Sequence, residues 1–191
     1  MNRFHAFLWS QATPRRAWLA LVGLAALLTG ENLAPIPPGA VYMRRVTGGL
    51  NFLDFGFEPA ASAHARLTAF GAAGRHTQAL LQATADIAIP LASAAFGALA
   101  LTALGRVIFR APGRWLWLTS VPVLAALLDY AENASIAGLL LTFPDDPQWL
   151  SVLTHELTFA KFLAYDATAA LVLLAAIAAL VRAVRSAKIR R

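Results

Sequence analysis

WLWLTSVPVLAALLDYAENASIAGLLLTF, residues 115–143, is one apolar run with Asp129, Glu132 and Asn133 set in its middle. As a helix rising ~1.5 Å per residue it reaches ~43 Å, enough to cross a bilayer with its headgroups. A carboxylate near the bilayer centre costs at least ~2.5 kcal/mol on insertion scales. Asp129, Glu132 and Asn133 are spaced i, i+3 and i, i+4, so they share one face of the helix. Two carboxylates and an amide on one turn need a partner, a proton or water. Asp129 lies ~21 Å along the axis from Trp115, which places the turn near mid-membrane.

The rest of the chain fits that environment. Of 191 residues, 59% are hydrophobic and 14% charged, and the mean hydropathy is +0.60. A soluble domain is nearer ~45–50% apolar and ~25% charged. Leu and Ala dominate the apolar runs, and long Val/Ile/Thr alternation is absent, so helices are favoured over a barrel. The chain has no Cys, which excludes disulfides and thiolate metal sites. The expectation is an all-α membrane protein: a single domain, 1–191, forming a four-transmembrane-helix bundle. Its spans fall at about 17–33, 83–109, 115–143 and 152–184, with one long external loop, 35–82, that carries a short helix.

The segments read as follows. Residues 1–16 are basic and carry Phe4, Phe7 and Trp9, a composition suited to the membrane interface. Thr13-Pro14 has the form of a cap and first helical residue. The first apolar run is a retained signal anchor or a cleaved signal peptide. The absence of a small-x-small site before Pro35 favours the anchor. In the loop, Gly48-Gly49 between two short runs allows a weak hairpin signal within 41–57. Glu58-Pro59 opens a short helix that closes at Gly71 and Gly74, and a stretch from Thr77 runs into the second span without a break. In that span Pro90, Ser93 and Gly97 form a small-residue packing stripe. Trp115 and Trp117 are interface anchors of the third.

The charges orient the bundle. With the N-terminus in the cytoplasm, 11 of the 16 Lys and Arg residues fall in cytoplasmic segments: Arg3, Arg15, Arg16, Arg106, Arg110, Arg114 and five in the tail from Arg182. Only Arg44, Arg45, Arg66 and Arg75 lie on the other side, and none of the ten acids is cytoplasmic. This positive-inside pattern places both termini in the cytoplasm of a bacterial inner membrane. It also accounts for the net charge of +6 through anionic lipid rather than nucleic acid.

The polar residues of the spans converge on the outer half. Lys161 is the one basic residue inside a span and the natural counter-ion for Glu132 or Asp129. Asp129 and Glu132 are the candidate catalytic pair, acting as proton acceptor and donor, since two carboxylates close together in a low-dielectric site do not ionise equally. Asn133, Lys161, Asp86 and Asp166 are candidate ligand-binding residues. Asp166 lies ~140° round its helix from Lys161, so the two serve different contacts. His155-Glu156-Leu157-Thr158-Phe159 starts like a zinc-protease motif but ends in Phe, which breaks it. His155 with His64, His76, Asp54 or Glu58 is a weak metal pattern, and no metal site is assigned. Ser120 and Ser135 have no His in register for a hydrolase triad, and no sequence feature identifies a cofactor.

The chain resembles a group of uncharacterised bacterial four-span integral membrane proteins. The resemblance is carried by Leu53-Asp54-Phe55-Gly56-Phe57, Gly74-Arg75, Asp86-Ile87-Ala88-Ile89-Pro90, Leu128-Asp129-Tyr130-Ala131-Glu132-Asn133 and Phe159-Ala160-Lys161-Phe162, within about 51–172. It implies the architecture and the third-span site, and supplies no reaction. The function expected is an outer-facing intramembrane polar pocket that binds or transforms a small or lipid-like molecule. The alternatives are a proton-coupled transporter and a structural or partner subunit of a membrane complex. Membrane lipids, a small-molecule or lipid-like ligand, and a second copy or a membrane partner are the partners this implies. A polar path through the inner half would favour transport, and a closed apolar floor would favour binding or catalysis.

Overall fold

Thr13 caps the first long helix. Its hydroxyl accepts from the Arg16 N–H at 3.2 Å, and Pro14, which lacks an N–H, takes the first helical position. The computed structural model describes residues 3–53, 60–145 and 147–189. Its helices are α1 (Arg3–Gln11), α2 (Pro14–Leu33), α3 (Ala40–Val46), α4 (Ala63–Ala83), α5 (Ala85–Phe109), α6 (Val121–Thr142) and α7 (Gln148–Ile189). There is no strand among the described residues. Three helical runs are long and apolar enough to cross a membrane: Ala60–Phe109, Arg114–Thr142 and Gln148–Lys188. α2 is not among them. Arg15, Arg16 and Glu31 confine its uncharged stretch to 17–30, ~21 Å of helix against a hydrocarbon core of ~30 Å.

α5, α6 and α7 pack against one another, and α2 lies along α5. All three core helices meet in close contact at Gly97. A Cβ there would stand 2.7 Å from Pro122 Cβ and 3.0 Å from Thr168 Cγ2. The small stripe on α5 is therefore a packing face, as its spacing indicates. At one end of the bundle, Arg106 Nη1 donates to the carbonyls of Trp9 and Ala12 at 3.2 and 2.7 Å. Arg182 Nη1 donates to the Ile108 carbonyl at the same end. α1, the α5–α6 turn and the final turns of α7 thus share one end, where the arginines gather.

A helical cap covers the opposite end. Its core joins Met43, Phe52, Leu67, Phe70 and Leu81 to Ile136 and Leu139 of α6 and Leu150 of α7. The Leu53 N–H donates to the buried Gln78 Oε1 at 2.9 Å, tying the chain after α3 to α4. The region expected as a loop with one short helix therefore holds α3 and α4. Gly48 and Gly49 take positive φ, 72° and 113°, to turn the chain out of α3, the same freedom that a hairpin would have used. Gly71, expected as a stop, is a kink with φ 62° and ψ −175°, after which helix resumes to Ala83. The break expected nowhere before the second span falls at Thr84, with φ −133° and ψ −88°. The Arg114–Thr142 run opens with a 3-10 turn, Arg114–Ser120, ahead of α6. Leu53 apart, the Leu53–Phe57 motif and the Glu58-Pro59 helix start lie outside the described residues.

Candidate functional site

Pro90 explains how α5 and α6 are joined. A proline inside a helix removes the N–H that would bond the carbonyl four residues earlier. Here that carbonyl is Asp86, and Asn133 Nδ2 of α6 donates to it at 3.1 Å. One residue on, the Ile87 carbonyl accepts from the Tyr130 hydroxyl at 2.7 Å. Asn133 therefore satisfies the carbonyl freed by the proline, and Tyr130, three residues earlier on α6, bonds the next carbonyl on the same face.

The charged residues meet beside this latch. Lys161 Nζ of α7 stands 3.3 Å from Asp129 Oδ1 and also pairs with Glu132 Oε2. The second oxygen of each carboxylate is taken up as well. The Tyr165 hydroxyl donates to Asp129 Oδ2 at 2.7 Å, and the Thr158 hydroxyl donates to Glu132 Oε1. Ser93 of α5 is within hydrogen-bond reach of Tyr165. Glu132 is 0% exposed, and Lys161 and Asp129 are buried. All three ionised, two carboxylates and one ammonium leave one negative charge uncompensated. Toward the cap a file of hydroxyls continues: Ser135 Oγ donates to the Glu132 carbonyl at 2.7 Å, and Thr154 donates to Ser135 Oγ at 2.8 Å. Toward the basic end, the Thr168, Thr102 and Thr119 hydroxyls each bond a carbonyl of their own helix turn.

Asp129, Glu132 and Lys161 thus converge, and Asn133 and Asp86 join them through the latch. Asp166 does not: it is exposed on α7. Thr158 and Tyr165 were not singled out in the sequence. They sit three residues before and four after Lys161, on the same face of α7, and that spacing was the available signal. Among the described residues no group of three His, Asp or Glu converges as a metal site, and Asp54 and Glu58 lie outside them.

Two cavities flank α6. One, of about 360 Å³, opens between α4 and α6 and is lined by Gln82, Asn133, Ala134, Ala137 and neighbouring aliphatics. Asn133 Oδ1 and both amide atoms of the Gln82 side chain, on two residues of that lining, are buried without hydrogen-bond partners. The other, of about 600 Å³, lies between α5 and α6 and is closed at one end by α1. The ion cluster itself lines neither. No family model, curated protein or solved structure matches the chain.

Proposed function

We propose that this chain is a four-span inner-membrane protein, with α2 as the fourth span and the cap on the outer face, that binds a small or lipid-like molecule in the α4–α6 cavity. The observation that carries the reading is the pair Asn133 and Gln82. These amide atoms are closed off from the cavity as it stands, and a side-chain rotation that turned them toward a ligand would give each the partner it lacks. Asn133 is adjacent in sequence to Glu132, and the ion cluster holds α6 and α7 in register behind the cavity. Asp129 and Glu132 do not line the cavity, and they act on a bound molecule through the α6 turn that carries Asn133. Toward the basic end the buried hydroxyls of Thr102, Thr119 and Thr168 are each closed on a carbonyl of their own helix turn, which supports binding over transport.

The test is mass spectrometry of extracts from the purified full chain and from Gln82→Leu, which leaves the Asn133 latch intact. A molecule retained by the parent and lost from the folded variant is the expected result. Equal extracts from the two would overturn the reading. The closure of the ion cluster favours a second reading, a structural staple. Asp129→Asn separates the two. A site gives unchanged or raised Tm with loss of the copurifying molecule, and a staple gives lowered Tm with the molecule kept.

A further inference from the structure

A second site, independent of the α4–α6 cavity, lies at the basic end. The 600 Å³ groove runs over Ala94, Ala95 and Ala98 of α5 and Ala126 of α6, where small side chains leave a channel. Leu91 to Leu99 sets its length along α5 at ~12 Å. At one end α1 closes over it, with Gln11 and Arg16 in the lining. α1 is held there by the Arg106 bonds to Trp9 and Ala12, and by the edge of His5 against Trp117, with ring centroids 5.0 Å apart. Phe4 and Phe7 of α1, 41% and 61% exposed, stand in the groove lining. Arg16 Nη1 donates to the Gln11 carbonyl at 3.1 Å, which fixes the guanidinium at the groove mouth and leaves further N–H groups for an anion. Arg3 and Arg15, both exposed, add charge at the same end.

An apolar channel within a span, ending on an arginine at headgroup level, is complementary to one amphiphile. We infer that the groove binds an anionic phospholipid, with one acyl chain laid between α5 and α6 and its phosphate on Arg16. α1 is then a clamp on that lipid. The site recognises charge at one end and chain at the other, so each can be removed separately. Arg16→Gln deletes the charge. Ala95→Phe, at an exposed position, fills the channel without entering the core.

The full chain, purified and stripped of lipid in detergent, is titrated with phosphatidylglycerol and with phosphatidylcholine of the same chains, and bound lipid is counted by native mass spectrometry. Phosphatidylglycerol should bind at least about fivefold more tightly, the value of one basic residue near a membrane surface. Arg16→Gln should remove that preference, Ala95→Phe should remove the adduct of either lipid, and Arg185→Gln, elsewhere at the same end, should keep both. Equal affinity of the parent for the two lipids, or a preference that survives Arg16→Gln, overturns the proposal. If Arg16→Gln fails to fold, Ala95→Phe still decides, since an undiminished adduct in that variant places the lipid elsewhere.

Discussion

At the scale of single residues, Pro90 and Asn133 make one device. The proline costs α5 a backbone hydrogen bond, and the amide of α6 replaces it at 3.1 Å. Losing the partner of a buried acceptor costs ~1–3 kcal/mol, whereas an average interhelical polar contact in a membrane is worth only ~0.6 kcal/mol. The proline is what makes the contact matter. Asn133→Leu should therefore destabilise the chain in its own background. In the Pro90→Ala background, where an N–H returns to the Asp86 carbonyl, the same change should cost less by about 1 kcal/mol. Denaturation in detergent of the four proteins gives the coupling. Additivity to within ~0.3 kcal/mol would show that Asn133 does not serve the freed carbonyl. The ion cluster follows a different logic, since Lys161 is shared between two carboxylates and each of these has a hydroxyl besides.

At the scale of elements, glycine decides what the sequence made legible. The long spans could be read from length and apolarity, and the i, i+3, i+4 spacing placed Asp129, Glu132 and Asn133 on one face, where the structure has them buried together. Lys161 as their counter-ion followed from its isolation. The cap was not legible, because Gly48-Gly49 and Gly71 permit turn, stop or kink alike, and packing against Ile136 and Leu139 selects among these. Nor was the 3-10 start of the Arg114–Thr142 run, since nothing in Trp115–Ser120 distinguishes the tighter turn. The two uses of glycine predict opposite signs for one substitution. Gly71 has φ 62° and ψ −175°, a region almost closed to other residues, and an added Cβ meets nothing within 4 Å. Gly71→Ala should cost about 1–3 kcal/mol from backbone strain alone. Gly23, within helical α2, has equally open surroundings. Gly23→Ala should be neutral or stabilising by up to about 1 kcal/mol. Melting of the two variants beside the parent checks both, and a neutral Gly71→Ala would mean that the kink is not needed by the cap.

At the scale of the whole molecule, the structure adds a reason for the orientation that the charge count suggested. The Arg106 and Arg182 bonds bring α1, the α5–α6 turn and the end of α7 together, so the basic residues of three separated segments form one belt. The cap arginines are used otherwise. Arg75 Nη1 donates to the Leu67 carbonyl at 2.9 Å, Arg66 Nη2 to the Asn51 carbonyl at 3.0 Å, and Arg44 Nη1 to Asn51 Oδ1 at 3.0 Å. A charge engaged in folding a domain is a poorer retention signal than one free at a headgroup, so these three of the four cap arginines should weigh less against translocation than their number implies. The chain has no Cys, so single cysteines report without background. Ala72→Cys and Asp145→Cys, both at exposed positions on the cap side, should react with an impermeant thiol reagent applied to intact cells. Gly113→Cys and Ser186→Cys, at the basic end, should react only after the membrane is opened. Four spans are needed for that result with both ends of the chain on one side. If Ser186→Cys is protected while a cysteine in place of Arg3 is labelled from outside, α2 does not cross the membrane, three spans remain, and the fourth must be withdrawn. If instead the cap cysteines are protected and the basic end is labelled, the orientation is reversed, and the α4–α6 cavity opens toward the cytoplasm.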